Sequence, residues 1–329
     1  MGDHAGRRRR DEDRTPAAGR PGDPLVIPAP AREALRQALG GAIRFDAETR
    51  RLTSLGVGGP ADALATPGDR QALARLLALC ADHGVPCRPI GRGFNLLVHD
   101  AGVDGVLLLL SLFKVLEERE GHVFAEAGVS HTRLTRFCRE RGLAGLEFGA
   151  GIPGNLGGWV AMNAGIGDRE VKDVVREIEI VSSDGKGPRS VGRADLEFVY
   201  RSLRSLAPGD VVVSALLAVE PSTPQKVAAR IDELLERRRA TQPLDVPSCG
   251  SVFKNPPGGY AGQLIEEAGL KGAREGGVMI SPQHANFMVN TGGATTGDVL
   301  ALIERAQDEV RRQTGIELET EVRIIGRPS

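Results

Sequence analysis

The chain has 329 residues, too many for one hydrophobic core of ordinary size, so two or three lobes are expected. A hydrophobic fraction of 41% beside 26% charged residues is that of a globular domain. A formal net charge of -1 and only 4% aromatic residues supply neither the field nor the stacking platform that a nucleic-acid partner needs.

From the N-terminus, residues 1–24 read as a charged tail, in which Arg7 to Arg10 are answered at once by Asp11, Glu12 and Asp13. That alternation predicts a solvated, disordered segment, and it lacks the apolar stretch of a secretory signal. A short helix is expected at Ala31 to Leu39, then a glycine-rich stretch at Thr53 to Asp62. Gln71 to His83 is a strong amphipathic helix, with Leu73, Leu76, Leu77 and Cys80 at helical spacing and Gly84 as its C-terminal stop. Short strands follow at Pro86 to Ile90, Val106 to Leu110 and Val123 to Ala127, and Ser130 can cap a helix running to Arg141. The longest apolar run, Val106 to Leu110 with Leu112 and Phe113, is far too short to span a bilayer, so no membrane partner is expected.

Glu177 to Val181 and Arg189 to Val191 flank Asp184-Gly185 as a hairpin, and Val211 to Val219 reads as a further strand. A domain boundary is placed near Pro221 to Pro224, ahead of a basic helix at Val227 to Arg238. The last third reads as a compact α+β unit. It comprises strands at Ser251 to Phe253, Asn286 to Asn290 and Glu317 to Ile325, with helices at Ala261 to Ala268 and Thr296 to Gln313. The four cysteines, Cys80, Cys87, Cys138 and Cys249, form no C-x-x-C pair and stand at no histidine spacing suited to zinc. No metal is expected, and the thiols read as the reduced thiols of a cytoplasmic protein.

Two glycine-rich loops look built to bring backbone close to a ligand. Gly91 and Gly93 leave a predicted strand, where positive φ lets backbone N–H groups converge on an anion. Gly149 to Gly158 holds five glycines and a proline in ten residues, more than a surface turn requires. Together they suit a long dinucleotide, although each alone is compatible with an ordinary turn. The run P-S-C-G-S-V-F-K-N-P (Pro247 to Pro256) is equally open: a nucleophile loop, a phosphate cradle or a turn before a strand. Cys249 has no histidine near it in sequence and reads as a packing residue.

Six motifs occur in a fixed order: G-x-G-x-N-L-L (from Gly91), G-I-P-G-x-x-G-G with M-N-A-G (Gly151 to Gly165), Y-R-S (Tyr200 to Ser202), P-S-C-G-S-V-F-K-N-P, H-A-N-F (from His284) and L-E-T-E-V-R-I-I-G (Leu318 to Gly326). This set resembles the UDP-N-acetylenolpyruvoylglucosamine reductase family, in its shorter subclass, from about Thr53 to Gly326. The resemblance implies an α+β fold: a two-lobed FAD-binding domain of vanillyl-alcohol-oxidase type plus a C-terminal α+β substrate-binding domain. Residues 25–110 with the strand 317–326 would form the first lobe, 111–222 the second, and 223–316 the substrate-binding domain. It further implies non-covalent FAD, NADPH as co-substrate, a UDP-sugar substrate and a cytoplasmic monomer or weak dimer.

Carried over by motif, Gly91, Arg92, Gly93, Asn95 and Leu96 would line the FAD pyrophosphate. Ile152, Pro153, Gly154, Gly157, Gly158, Asn163 and Gly165 would flank the flavin and its ribityl chain. Phe94 stands where the family has Ser or Thr, and Gly167-Asp168-Arg169 replaces an aromatic-Gly-Gly. The family's catalytic roles fall on Arg201, Ser251 and Glu321, with Ser251 as proton donor. Substrate contacts fall on Tyr200, Arg239, Gln242, Lys254, Asn255 and His284. By themselves these residues read blandly, Ser251 as a turn, Arg201 as a surface ion-pair partner and Glu321 as part of a solvated strand face.

Overall fold

The structure, a computed structural model, describes residues 27–328, so the tail expected at residues 1–24 lies outside the described residues. Two helices open the first lobe. α1 (Ala29–Leu39) buries Ala31, Leu35 and Leu39. α2 (Arg70–Asp82) is capped by Asp69, whose carboxylate accepts from the Ala72 N–H, and buries the Leu73, Leu76, Leu77 and Cys80 stripe. Both pack with Ala63, Ala65, Val106 and Leu108 in one core cluster, while Leu64 and Leu107 join another. That alternation is the period of two expected of a sheet covered on both faces.

The sheet has four strands in the order β1 (Ile43–Glu48), β2 (Pro60–Ala65), β5 (Val103–Leu109) and β3 (Cys87–Ile90); β2 and β3 each run parallel to β5. β4 (Leu96–Val98) stands apart from it.

The second lobe is a five-stranded antiparallel sheet. Its order is Arg189–Gly192, Val175–Val181, Val211–Ala218, β7 (His122–Glu126) and β6 (Leu116–Arg119). The hairpin through Asp184-Gly185 forms as expected, with Ile180 opposite Arg189. α3 (His131–Arg141) starts at Ser130, which accepts from the Arg133 N–H, and stops at Gly142 in the left-handed region. Arg70 joins the two lobes, donating at 2.6 Å both to Glu126 and to Glu179.

α4 (Leu156–Ala161) follows the second glycine loop, and α5 (Pro224–Thr241) leads into the C-terminal unit. There, strands Ser248–Ser251, Phe287–Asn290, Val278–Ile280 and Arg274–Glu275 form an antiparallel sheet backed by α6 (Ala261–Glu267) and α7 (Thr296–Thr314). The strand expected over Glu317 to Ile325 is shorter than anticipated. Only Arg323–Ile325 pairs, in parallel with β4; ahead of it, Leu318 and Val322 point into the C-terminal core and Thr320 bridges Phe253. The segment changes partner midway, which breaks one strand into two short contacts. No helix among the described residues is long and apolar enough to cross a membrane.

Candidate active site

The change of partner places Glu321. Its N–H donates to the Val252 carbonyl at 2.8 Å, directly after Ser251, and its own carbonyl accepts from the Asn95 side-chain amide at 3.1 Å. The C-terminal segment, the Ser251 strand and the first glycine loop therefore share one hydrogen-bonded seam. Ser54 reinforces it, donating through its hydroxyl to the Ser248 carbonyl at 2.6 Å and through its N–H to the Gly93 carbonyl at 3.0 Å.

Arg201 enters from the second lobe, on the turn between Phe198–Val199 and Ser202–Leu203. Its φ is 58°, in the left-handed region that costs a side-chain-bearing residue free energy and is retained where the surroundings demand it. The guanidinium donates from Nε to Glu321 Oε1 at 3.1 Å, and both side chains are largely buried, 18% and 16% exposed. Burial pushes the Glu321 carboxyl above its usual value, with Arg201 pulling it part of the way back. Arg201 and Glu321 thus meet next to Val252, the residue after Ser251, although 120 residues separate the arginine from the glutamate.

The glycines divide into two groups. A Cβ on Gly91, Gly154 or Gly158 would meet no atom within 4 Å, so these face open space. On Gly93 it would lie 1.9 Å from the Leu52 carbonyl oxygen, on Gly157 2.9 Å from the Ala127 Cβ, and on Gly165 2.3 Å from the Arg169 carbonyl oxygen. At these three positions another part of the protein leaves no room for a side chain, which is a sufficient reason for glycine with or without a ligand beside the backbone. Among the described residues, the N–H groups of Arg92, Gly93, Phe94 and Asn95 donate to no backbone carbonyl, leaving a nest of donors. Leu96 is buried as the first residue of β4. In the second loop, Ile152 packs against the core of the second lobe, and the Pro153 carbonyl accepts from the Trp159 indole at 3.3 Å.

Asn163 is committed to the protein's own scaffold through its side chain. It is fully buried, and its amide is already engaged: Nδ2 donates to Glu170 Oε2 at 2.9 Å and to the Val199 carbonyl at 3.1 Å, while Oδ1 accepts from the Lys172 N–H at 3.0 Å. Both donor positions are taken, so the side chain has none for a flavin edge.

Among the described residues, four buried side-chain polar atoms lack a partner, and three of them, His131 Nδ1, Asn155 Oδ1 and Arg238 Nη1, surround the second glycine loop. The Arg238 stem lies 3.1 Å from where a Gly151 Cβ would sit. Its Nε and Nη2 donate to Gln242 Oε1 at 3.0 and 2.7 Å. With no carboxylate beside it, burial drops the guanidinium to about 10. Burial foremost also lowers the His131 imidazole, hydrogen bonding with the Gly154 backbone opposes this, and the charges of Arg238 and Arg92 lower it further. Separately, the backbone N–H of His131 donates to the Gly154 carbonyl. Arg239, expected as a substrate contact, is exposed. The signal for Arg238 was present: Val227, Ile231 and Arg238 share one face of α5.

Tyr200 and Tyr260, the only two tyrosines of the chain, line one open cleft of about 690 Å³ with Lys254, Asn255 and Glu319. Lys254 pairs with Glu319. The Asn255 N–H donates to the Tyr200 hydroxyl at 3.4 Å, and Asn255 Oδ1 accepts from the Ala261 N–H, so Asn255 also anchors the start of α6. His284 Nδ1 accepts from the Asn286 N–H, which leaves the ring proton on Nε2; burial lowers its basicity. Cys249 is 1% exposed, and burial raises its thiol to about 12, so it packs and does not react.

A family profile described as the C-terminal domain of UDP-N-acetylenolpyruvoylglucosamine reductase matches residues 242–325, and one described as an FAD binding domain matches residues 61–187. The reductase of that name from Geobacter metallireducens is 46% identical over 293 residues, covering 89% of this chain and 97% of its own length. Its counterpart from Anaeromyxobacter dehalogenans is 48% identical over 295 residues, covering 89% and 88%. The crystal structure of the Thermus caldophilus enzyme aligns with a TM-score of 0.75 at 36% identity, over 86% of this chain and 99% of that one. At such identity over nearly the whole of these relatives, the chain belongs to the UDP-N-acetylenolpyruvoylglucosamine reductase family.

Proposed function

We propose that this chain binds FAD non-covalently and reduces UDP-N-acetylglucosamine enolpyruvate to UDP-N-acetylmuramate with NADPH, a step of peptidoglycan precursor synthesis. One observation carries the reading: the Arg201–Glu321 pair meets the Ser251 strand on the seam that also holds the first glycine loop. The four thiols are all free, which suits a reducing, cytoplasmic setting.

The residues present fit the cofactor. The donor nest at Arg92 to Asn95 suits a pyrophosphate, and the open faces of Gly154 and Gly158 suit a flat ring. The unpartnered His131, Asn155 and Arg238 atoms await a polar ligand, since a buried polar atom left alone costs about 1–3 kcal/mol. FAD held there would supply the redox chemistry, hydride transfer from NADPH to the enolpyruvyl C3.

The protein does the rest. Ser251 donates the proton to C2. Arg201 pairs with the substrate carboxylate and stabilises the negative charge that develops toward it. Glu321 holds Arg201 in place, its carboxyl raised above its usual value by burial and pulled part of the way back by the guanidinium. Lys254, Asn255, Tyr200 and His284 line the path for the UDP moiety, with Arg239 and Gln242 at its rim.

The flavin spectrum tests this directly. Purified protein should be yellow, bleach with NADPH under anaerobic conditions, and recover its colour on addition of UDP-N-acetylglucosamine enolpyruvate. Colourless protein that FAD does not reconstitute would overturn the proposal, as would reduced flavin that the enolpyruvyl compound leaves bleached.

A further inference from the structure

Arg201 is held from two sides. Opposite Glu321 stands Glu170, with Oε1 3.7 Å from Arg201 Nη1 and a side chain only 12% exposed. That separation is an ion pair and not a hydrogen bond. Glu170 Oε2 is fixed independently: it accepts from Asn163 Nδ2 at 2.9 Å and pairs with Lys172 Nζ. Asn163 is in turn locked by the Val199 carbonyl and the Lys172 N–H, and it adopts a φ of 42° to do so. One oxygen of Glu170 is therefore anchored while the other is left to steer the guanidinium.

The donors of Arg201 can be counted. Nε serves Glu321, and one Nη2 hydrogen serves the Gly165 carbonyl at 3.4 Å. Both Nη1 hydrogens and the second Nη2 hydrogen remain, and the Nη1/Nη2 edge is the fork that matches a carboxylate bidentately. Two glutamates beside one arginine would repel an incoming anion. Lys172 restores the balance, since Glu170, Glu321, Arg201 and Lys172 sum to zero formal charge.

We propose that Glu170 is a positioning residue for Arg201: anchored by Asn163 and Lys172, it orients the guanidinium so that its free fork meets the carboxylate of the substrate. This rests on the reading of Arg201 given above. Both partners of Glu170, Arg201 and Asn163, carry positive φ without being glycine, a conformation retained where the surroundings hold it.

The test uses full-length, FAD-loaded protein and two ligands, UDP-N-acetylmuramate, which bears the carboxylate, and UDP-N-acetylglucosamine, which lacks it. Calorimetry on the wild type should show preference for the first. Glu170→Gln should weaken that ligand by about 10- to 100-fold, the usual worth of a charged contact, and leave the second within about two-fold. Glu170→Asp, which keeps the charge, should recover part of the preference and carries the test if the glutamine variant folds poorly. A wild type that binds both ligands equally overturns the reading of Arg201 and this proposal with it. A wild-type preference that Glu170→Gln retains overturns the role of Glu170 alone.

Discussion

Replacing Arg238 with methionine removes a charge that the fold buries with no carboxylate beside it. The guanidinium falls from 12.5 to about 10 on burial. At about 1.4 kcal/mol per tenfold, that is about 3 kcal/mol of desolvation left uncompensated without a ligand. Methionine keeps an unbranched stem against Gly151 and Leu235, the neighbours of the arginine stem. Losing the two hydrogen bonds to Gln242, at about 1 kcal/mol each, gives back about 2 kcal/mol. The FAD-free variant should therefore be at least as stable as wild type and up to about 1 kcal/mol more so, raising its thermal midpoint by a degree or two. FAD should bind less well, by about 10- to 100-fold, because a charged donor to the ligand is gone. Thermal unfolding of the FAD-free protein and a flavin-quenching titration measure the two effects. A variant that is less stable yet binds FAD as tightly as wild type would refute the reasoning, since Arg238 would then be a structural residue. Weaker FAD binding without lost stability is the diagnostic, because ordinary core damage lowers both quantities.

Ser251→Ala should still bleach with NADPH, while turnover with the enolpyruvyl substrate falls by about 10²–10⁴, the usual worth of a general acid; rapid turnover would remove Ser251 from the proton-donor role. Two neighbouring glycines should respond in opposite ways. Gly157→Ala drives a methyl to 2.9 Å from Ala127 and should cost about 1–3 kcal/mol of stability, whereas Gly158→Ala meets nothing. The latter should stabilise the FAD-free protein by up to about 1 kcal/mol through helix propensity, and weaken FAD binding if the ring lies on that face. A pH effect follows from His131 and His284, both held below their usual 6.5 by burial. The unfolded chain takes up protons near that pH which the fold refuses, so stability is complete above about 6.5 and is lost as the pH falls below it. Glu321 slopes the opposite way nearer pH 4.5, so the informative quantity is the difference between wild type and His131→Gln in urea midpoints at pH 8 and 6; equal pH dependence in the two would show that His131 is not the source.

The helices were the most legible part of the sequence. α2, α3 and α7 each announce themselves by an apolar stripe and by a side-chain cap at Asp69, Ser130 or Thr295. β1 and β2 were missed because Pro60 to Ala65 is built of Pro, Asp, Leu and alanines, small residues that fit between packed neighbours but carry little strand propensity. The motifs pointed to a region, and the structure adds which of its side chains are already engaged by the protein itself. A glycine looks the same in sequence whether it faces open space, as Gly158 does, or a neighbouring carbonyl, as Gly93 does, because contacts distant in sequence decide which. Asn163 looked like a ligand residue for the same reason: its partners Glu170, Lys172 and Val199 are known only once the chain has folded back. Arg238 was different. Its helical phase was readable, and nearness to the next motif drew attention to Arg239 instead.

Several positions that break local rules belong to the candidate site. Arg201 and Asn163 carry positive φ without being glycine, as Asp46 and Glu120 do elsewhere. Arg238 is a buried cation with no counter-charge, and among the described residues three of the four unpaired buried atoms, on His131, Asn155 and Arg238, lie at the second glycine loop, the fourth being on His99. Other buried or capping groups are satisfied: Arg70 has two carboxylates, and Thr295 and Asp298 cap each other reciprocally. Such a division is expected when a fold spends stability at a site and recovers it when ligands arrive. It also separates two kinds of binding element. The first loop is tied to Ser248 through Ser54 and to Glu321 through Asn95, so its donors and the Ser251 strand move as one piece. The second loop rests on α4 and on the Arg238 face of α5, where the unpaired atoms lie. FAD binding should therefore act chiefly on the second side, pairing what the fold left open there, while the side that carries the catalytic strand is already set before any ligand enters.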